Sequence, residues 1–253
     1  PDNAHVATRG FGCVEGLEQH KLLDSPDRLR YPLKRVGSRH ERISWDQALA
    51  EIGAKLRAIR AESGGDAIAH LVGSAGGANG LAPLFRNALF RALGSRAMFG
   101  TGTCDTTNKF RVCEDMYGSP FQLAYPDVER TEFLAILGAN PAVSGNTLYH
   151  LPRALQRLRA ITRRGGRVVF INPRRVETAR AGEHVFIRPD TDVFLLAAWC
   201  NALIESGSVD EARVARHMRG YAEPRAVVAG WTAERQAAVT GIPVGTFRDL
   251  VNA

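Results

Sequence analysis

The chain predicts an α/β fold built on a parallel, doubly wound sheet, with an extended segment before it and short helices after it. Three observations predict this. Short apolar runs, "DAIAHLVG" (66–73), "EFLAILGANP" (132–141) and "GRVVFINPRR" (166–175), each pass directly into a turn rich in Gly, Asn or Pro. Stretches with apolar residues at helical spacing follow these turns. Strand, loop and helix recurring in series call for right-handed crossovers, and these build a parallel sheet.

In chain order, residues 1–43 are rich in Gly, Pro and charge, show no period, and read as extended segments and turns on a larger body. "ISWDQALAEIGAKLRAIRAES" opens a helix, with Ser44 and Gln47 as an S-x-x-Q capping box and Ala48, Ile52, Leu56 and Ile59 at helical spacing. The run at 66–73 reads as a buried parallel strand ending in "GSAGGANG", followed by a helix over 82–93. "AMFG" then leads into the loop "GTGTCD" and a helix over 107–117. The strand at 132–141 precedes a helix over about 148–163, and the strand at 166–175 enters another turn. "HVFIRPDTDVFLLAAWCNALIESG" (184–207) supplies a short strand, a loop and a long apolar helix. A second capping box, "SVDE" (208–211), starts a set of short helices. The expected division is thus an N-terminal segment 1–43, an α/β domain 44–207 and a helical extension 208–253, with truncation expected after "RDLVNA".

The 253 residues, 45% of them hydrophobic, suffice for a substantial core. No apolar run approaches the roughly 18 residues that a membrane helix requires, so no transmembrane segment is expected. "PDNAHVATRG" has neither Met nor the apolar stretch of a signal peptide. A chain starting at Pro1 reads as a fragment or processed product; the cytoplasm is the expected location, with the periplasm open to a chain that carries an upstream signal. The four cysteines, Cys13, Cys104, Cys113 and Cys200, form no CxxC pair, so neither a disulfide scaffold nor a self-contained zinc or iron–sulfur site is expected. The formal charge is +7, and residues 153–180 hold nine Arg against one Glu. That stretch suits a solvated face or a phosphate-bearing ligand; its scarcity of aromatics weakens a single-stranded nucleic-acid reading.

Open α/β sheets bind ligands outside the carboxyl ends of their strands, which selects the loops "GSAGG", "GTGTCD", "GANPAVS", "NPRRVET" and "RPDTD". Gly138 and Ala139 follow an apolar strand and allow backbone N–H groups to approach a phosphate, or simply make a tight turn. Asn172 offers hydrogen bonds to a hydroxyl or base edge, and Arg174 and Arg175 suit phosphate. Asp190 and Asp192 could accept from the N1–H and amine of guanine, or Thr191 or Asp192 could cap the next helix. Together these groups point to a nucleotide-bearing ligand. Cys104, in a loop of Gly and Thr, is either a small buried hydrophobe or a presented thiol.

"RGFGCVEGL", "LLDSPDRLRYPLKRVG", "ERISWDQAL", "LGANP", "INPRRVETA" and "RPDTDVFLLA" stand in the order in which similar motifs occur in another group of proteins. As a set they resemble the N-terminal region of prokaryotic molybdopterin oxidoreductases, the dimethyl sulfoxide reductase and formate dehydrogenase superfamily. The resemblance covers nearly the whole chain. It implies that superfamily's multi-domain α/β fold and the catalytic subunit of a molybdenum (or tungsten) enzyme with two molybdopterin guanine dinucleotides. Many members also carry a 4Fe–4S cluster. The resemblance implies Cys13, within a motif of the form RG-x-x-C-x-K-G, as its fourth ligand, with the other three outside this chain; residues 1–43 would end that iron–sulfur segment. Glu15 stands where the family usually has Lys, which puts that residue's role in electron transfer in doubt.

By motif, Leu137 to Ser144, with Gly138, Ala139, Asn140 and Pro141, would approach one guanine dinucleotide. Asn172, Pro173, Arg174 and Arg175 would hold its ribose and phosphates, and Asp190, Thr191 and Asp192 would contact its base. The "GTGTCD" loop falls where the family presents its metal ligand; Cys104 is the first candidate and Asp105 the second. The formate dehydrogenase branch follows its ligand with His, whereas Asp105 stands here, which argues against formate as substrate. The implied partners are a small-molecule redox substrate and an electron-transfer protein or subunit, with no nucleic acid. One rival keeps the fold without the metal, as an electron-transfer or scaffold subunit like that of NADH:quinone oxidoreductases; the other is a basic nucleic-acid-binding module.

Overall fold

A computed structural model describes residues 2–6, 8–73, 80–144 and 151–253, with backbone but not side chains for Val14, Glu15, Thr103 and Cys104. The chain forms two compact units: residues 20–124, and residues 1–19 together with 125–253. These limits differ from the boundaries expected at 43/44 and 207/208, because the apolar faces of the elements assort differently.

In the unit 20–124, the segment expected to be extended contains a short helix, α2 (His20–Asp24), and an antiparallel hairpin of β1 (Leu33–Val36) and β2 (Arg39–Arg42). A further short helix, α1 (Val14–Glu18), lies in the other unit. Helix α3 (Trp45–Ser63) starts at Ser44, whose Oγ accepts from the Gln47 N–H at 3.1 Å. The Gln47 side chain does not close the box; it donates to Glu51 at 3.0 Å. Leu56 and Ile59 of α3 pack against Ile68, Phe90 and Leu93. The strand expected at 66–73 shrinks to β3 (His70–Val72), because Gly65–Ala67 makes a 3₁₀ turn first. Asp66 is then held by Arg96, whose backbone N–H donates to it at 2.7 Å. Helix α4 (Ala82–Leu93) ends at Gly94 with φ +72°, the left-handed conformation glycine adopts at least cost. It returns the chain to β4 (Met98–Gly100), parallel to β3 with His70 opposite Met98. Helices α5 (Gly102–Asp105) and α6 (Thr107–Tyr117) follow.

In the other unit, β5 (Phe133–Leu137), β6 (Arg167–Ile171) and β7 (Glu183–Val185) form a parallel sheet in that order. After Arg167 the central strand β6 is an unbroken apolar run, as a strand covered on both faces requires. Side chains alternate along it. Val168 and Phe170 enter one core with Ile136 and with Leu158 and Ile161 of α7 (Ala154–Arg163). Val169 and Ile171 enter a second core with Leu195 and Ala198 of α8 (Asp192–Glu205). Ile242, Phe247 and Leu250 complete that second core. Residues 208–253, expected as an extension, therefore help to cover the sheet. Their helices are α9 (Glu211–His217), α10 (Ala222–Val228), α11 (Ala233–Thr240) and α12 (Val244–Asn252).

The parallel α/β class holds, but among the described residues the parallel strands form two sheets, β3–β4 in one unit and β5–β6–β7 in the other, rather than one continuous series. Two helix starts also differ from expectation. Helix α7 begins at Ala154 and residues 151–153 are not helical, because Pro152 disfavours a helical Leu151; the expected start near 148 lies outside the described residues. Helix α9 begins at Glu211 because Asp210, not Ser208, caps it, accepting from the Arg213 N–H at 2.9 Å. The Ser208 hydroxyl pairs instead with Ser206 at 2.8 Å. Among the described residues no helix is long and apolar enough to cross a membrane.

Candidate cofactor-binding edge

The carboxyl ends of β5 and β6 and the segment after β7 bring together the loops singled out in the unit that contains them. Gly138 has φ +65°, and its N–H donates to the Ile171 carbonyl at 3.0 Å, extending the ladder one residue past β5. One residue past β6, the Asn172 N–H donates to the Val185 carbonyl at 3.1 Å. These two bonds hold the loops after β5 and β6 side by side.

Asn140 knits those loops together. Its backbone carbonyl accepts from the Val143 and Ser144 N–H groups, both at 3.0 Å. Its side-chain Oδ1 accepts from the Thr178 hydroxyl at 2.6 Å and the Thr178 N–H at 3.3 Å, while Nδ2 donates to Glu177. Thr178, fully buried, also accepts from the Ala142 N–H at 2.7 Å. Pro141 is buried and Ala139 half-buried. Asn140 thus has protein partners at both ends of its amide, an arrangement that shapes the loop. Thr178 and Glu177 were not selected from the sequence; the signal was their place in "NPRRVET", three and two residues beyond the arginines.

Asn172 is buried, and its Oδ1 accepts from the Arg174 N–H at 3.4 Å, forming a tight turn that leaves Pro173, Arg174 and Arg175 exposed. The Arg174 guanidinium lies 3.4 Å from the Glu177 carboxylate. His184 Nε2 meets the Arg174 carbonyl at 2.9 Å, so it carries the proton and donates. The Glu177 carboxyl is held below its ordinary value of 4.5 by its own backbone N–H, then by Asn140 and by Arg174. Because its folded value is depressed, the tie to Asn140 and Arg174 is present above pH 4.5 and fades as the pH falls through the lowered value. Acidification from pH 6 to about pH 3 should therefore loosen this junction before the core opens. Lower protection factors at the Ala142 and Thr178 amides, each taken relative to the intrinsic exchange rate at that pH, with the β6 amides still protected, would show it. Equal protection at both pH values would refute the role of Glu177.

After β7 the chain is anchored by Arg188, whose N–H donates to the Thr240 carbonyl at 2.8 Å and whose guanidinium donates to the Ala238 carbonyl at 2.7 Å. Thr191 does not cap α8; its hydroxyl donates to the Arg188 carbonyl at 2.7 Å. Asp192 occupies the first turn of α8, where a carboxylate suits the helix dipole. Asp190 is exposed with φ +62°.

The remaining candidates lie elsewhere. Asp105 is exposed in α5, and the Cys104 backbone belongs to the same helix while its side chain lies outside the described part. Most of the "GSAGG" loop, residues 74–77, also lies outside the described residues. Cys13 precedes α1 as a free, half-buried thiol. Among the described residues no three His, Cys, Asp or Glu side chains group to hold a metal ion. The donor set at the sheet edge does fit a guanine nucleotide: exposed guanidinium groups for phosphate, an amide turn, and carboxylates for a base edge.

An edge of this kind belongs to the open α/β class, whose members bind ligands beyond the carboxyl ends of their parallel strands. Residues 28–242 match the family described as molybdopterin oxidoreductase, and the chain belongs to that family. It is 32% identical over 223 residues to a probable dimethyl sulfoxide reductase chain of Escherichia coli (strain K12), covering 83% of this chain and 27% of that protein. It is 27% identical over 254 residues to formate dehydrogenase H of the same organism, covering 95% and 34%. Among solved structures, acetylene hydratase from Pelobacter acetylenicus superposes with a TM-score of 0.72 at 25% identity, covering 95% of this chain and 33% of that one. The chain spans between a quarter and about a third of these proteins' lengths.

Proposed function

We propose that the chain is the cofactor-binding part of the catalytic subunit of a molybdenum or tungsten oxidoreductase that carries two molybdopterin guanine dinucleotides. The observation that carries this reading is the juxtaposition of the Gly138–Ser144 and Asn172–Arg175 loops at one sheet edge, within a chain of the molybdopterin oxidoreductase family. When bound, the metal–pterin group supplies two-electron redox chemistry toward a small-molecule substrate. The chain's own residues bind and orient. Gly138 and Ala139 leave room for the dinucleotide beside β5, while Asn172, Arg174 and Arg175 take its ribose and phosphates. Asp190, Thr191 and Asp192 take its guanine, the carboxylates accepting from N1–H and the amine. Cys104, or Asp105 beside it, presents the protein ligand to the metal.

Cys13 would hold one corner of a 4Fe–4S cluster whose other three ligands would come from outside this chain; when bound, such a cluster would supply one-electron transfer toward a partner protein or subunit. Glu15, in place of the usual Lys, puts a negative charge two residues from that ligand. Reaction with the substrate, and transfer to the partner, are properties of the whole protein.

The test uses the whole protein, purified without oxygen, with metals and acid-released GMP counted per chain in wild type and Cys104→Ala. About one molybdenum or tungsten and about two GMP are expected in wild type, with an altered metal spectrum in the variant. Iron without molybdenum, tungsten or GMP would replace this reading with the scaffold subunit. An unchanged metal spectrum in Cys104→Ala would move the ligand assignment to Asp105.

A further inference from the structure

The nine arginines of residues 153–180 divide by what they touch, and one group is left with no internal task. Arg164 donates to the Val128 and Thr131 carbonyls at 3.0 and 2.6 Å. Arg167 bridges Glu183, at 2.7 Å, and Asp249. Arg174 and Arg175 stand at the sheet edge. The others lie on or beside α7, along two adjoining clefts of about 340 and 240 Å³ that share Arg153, Gln156 and Arg163. Arg159 and Arg180 line the first, over a floor that includes Phe11, Pro141 and Leu155. Arg9 and Arg157 line the second, where Glu129 is the sole acid, 3.4 Å from Arg157. Among the described residues Arg153, Arg159, Arg163 and Arg180 make no ion pair, and all four are exposed.

We propose that this double cleft is a docking groove for an acidic segment of a partner protein. Helix α7 explains the placement. Ala154, Leu158 and Ile161 face the sheet, so Arg159 and Arg163 fall on the opposite side while half-buried Arg157 flanks the covered face. Arg159 and Arg163, four residues apart, repel each other on one helix face. A run of carboxylates along the groove relieves that repulsion, with guanidinium forks matched to each carboxylate. The geometry favours a polypeptide over a single phosphate. From Arg153 to Arg163 the helix advances about 15 Å, so the charges form a line instead of converging on one point. It also favours protein over single-stranded nucleic acid, because Phe11 is the one aromatic side chain in the lining, too few to stack successive bases.

The inference is independent of the cofactor reading, and its test needs no bound metal. The whole protein is titrated against a fluorescein-labelled peptide of alternating Glu and Ala, with anisotropy read at low and physiological salt. Three forms are compared: wild type, R159E/R163E, and R213E/R216E on α9 as a control with the same charge change. Circular dichroism confirms that each form is folded, and a variant that fails this check is replaced by the corresponding Arg-to-Gln pair. Binding that weakens with salt, at least tenfold in the α7 variant and less than twofold in the control, is the expected result. Absence of binding by wild type, or equal weakening in both variants, would overturn the proposal. Displacement of the peptide by micromolar pyrophosphate would also overturn it, in favour of a phosphate ligand. Displacement by a single-stranded oligonucleotide at lower concentration than unlabelled peptide would do so in favour of nucleic acid.

Discussion

Phe170→Ala is expected to remove about 3–5 kcal/mol of stability from the unit that carries the sheet edge. Phe170 sits in the middle of the central strand, fully buried, with Ile136 opposite it on β5 and His184 opposite it on β7. Leu158 and Ile161 share its core from α7. Truncation leaves a void bounded by a strand hydrogen-bonded on both sides, so the walls cannot collapse into it. Gly182 limits relaxation further: a Cβ there would strike the Val168 carbonyl, which shows how closely the β7 entry already lies against β6. Hydrogen exchange on the whole protein reads the effect without assuming two-state unfolding. The Val168–Ile171 amides should lose several orders of magnitude in protection, while amides of α3 in the other unit change little. A loss below about 1 kcal/mol would mean that Phe170 is not the keystone of that face.

The class of fold was legible because β3, β5 and β6 lie in short apolar runs that end in Gly or Asn, and because α8 is a long apolar helix with a plain start. What was not legible has particular physical causes. The hairpin Leu33–Val36/Arg39–Arg42 is exposed on every residue, so no alternation marks it. The split into two sheets depends on which helices share a core, and periodicity gives the face of a helix but not its neighbour. Asp210 outcompeted Ser208 as a cap because both are good caps and the chain satisfied Ser208 locally. At the site, the exposed groups Arg174, Arg175 and Asp190 could be picked by chemistry alone. The Thr178–Asn140–Glu177 junction could not, since it pairs residues 37 and 38 positions apart through bonds that leave no local pattern. The basic run was visible as a whole, yet only the partners of Arg164 and Arg167 show that it serves several purposes.

Arg174→Gln/Arg175→Gln should separate binding from folding, with its main effect on the retained nucleotide. Both side chains are exposed, and the internal tie of Arg174 is a solvent-exposed ion pair with Glu177, so the cost to stability should stay below about 1 kcal/mol. Toward a dinucleotide the balance reverses. Each guanidinium–phosphate contact is a charge-assisted bond worth about 1.5–3 kcal/mol, so losing two weakens retention of that dinucleotide by a factor on the order of 10²–10⁴. Gln keeps the length and a hydrogen-bond donor but removes the charge and the fork. If the proposed function holds and these residues serve one of two dinucleotides, acid-released GMP from the whole protein should therefore fall from about two per chain toward about one. Protection of the β6 amides should not change. A fall in GMP accompanied by lost β6 protection would assign the arginines to folding. Undiminished GMP with intact protection would remove Arg174 and Arg175 from the binding edge, leaving Asn172 and the Gly138 turn to hold the ligand through neutral hydrogen bonds alone.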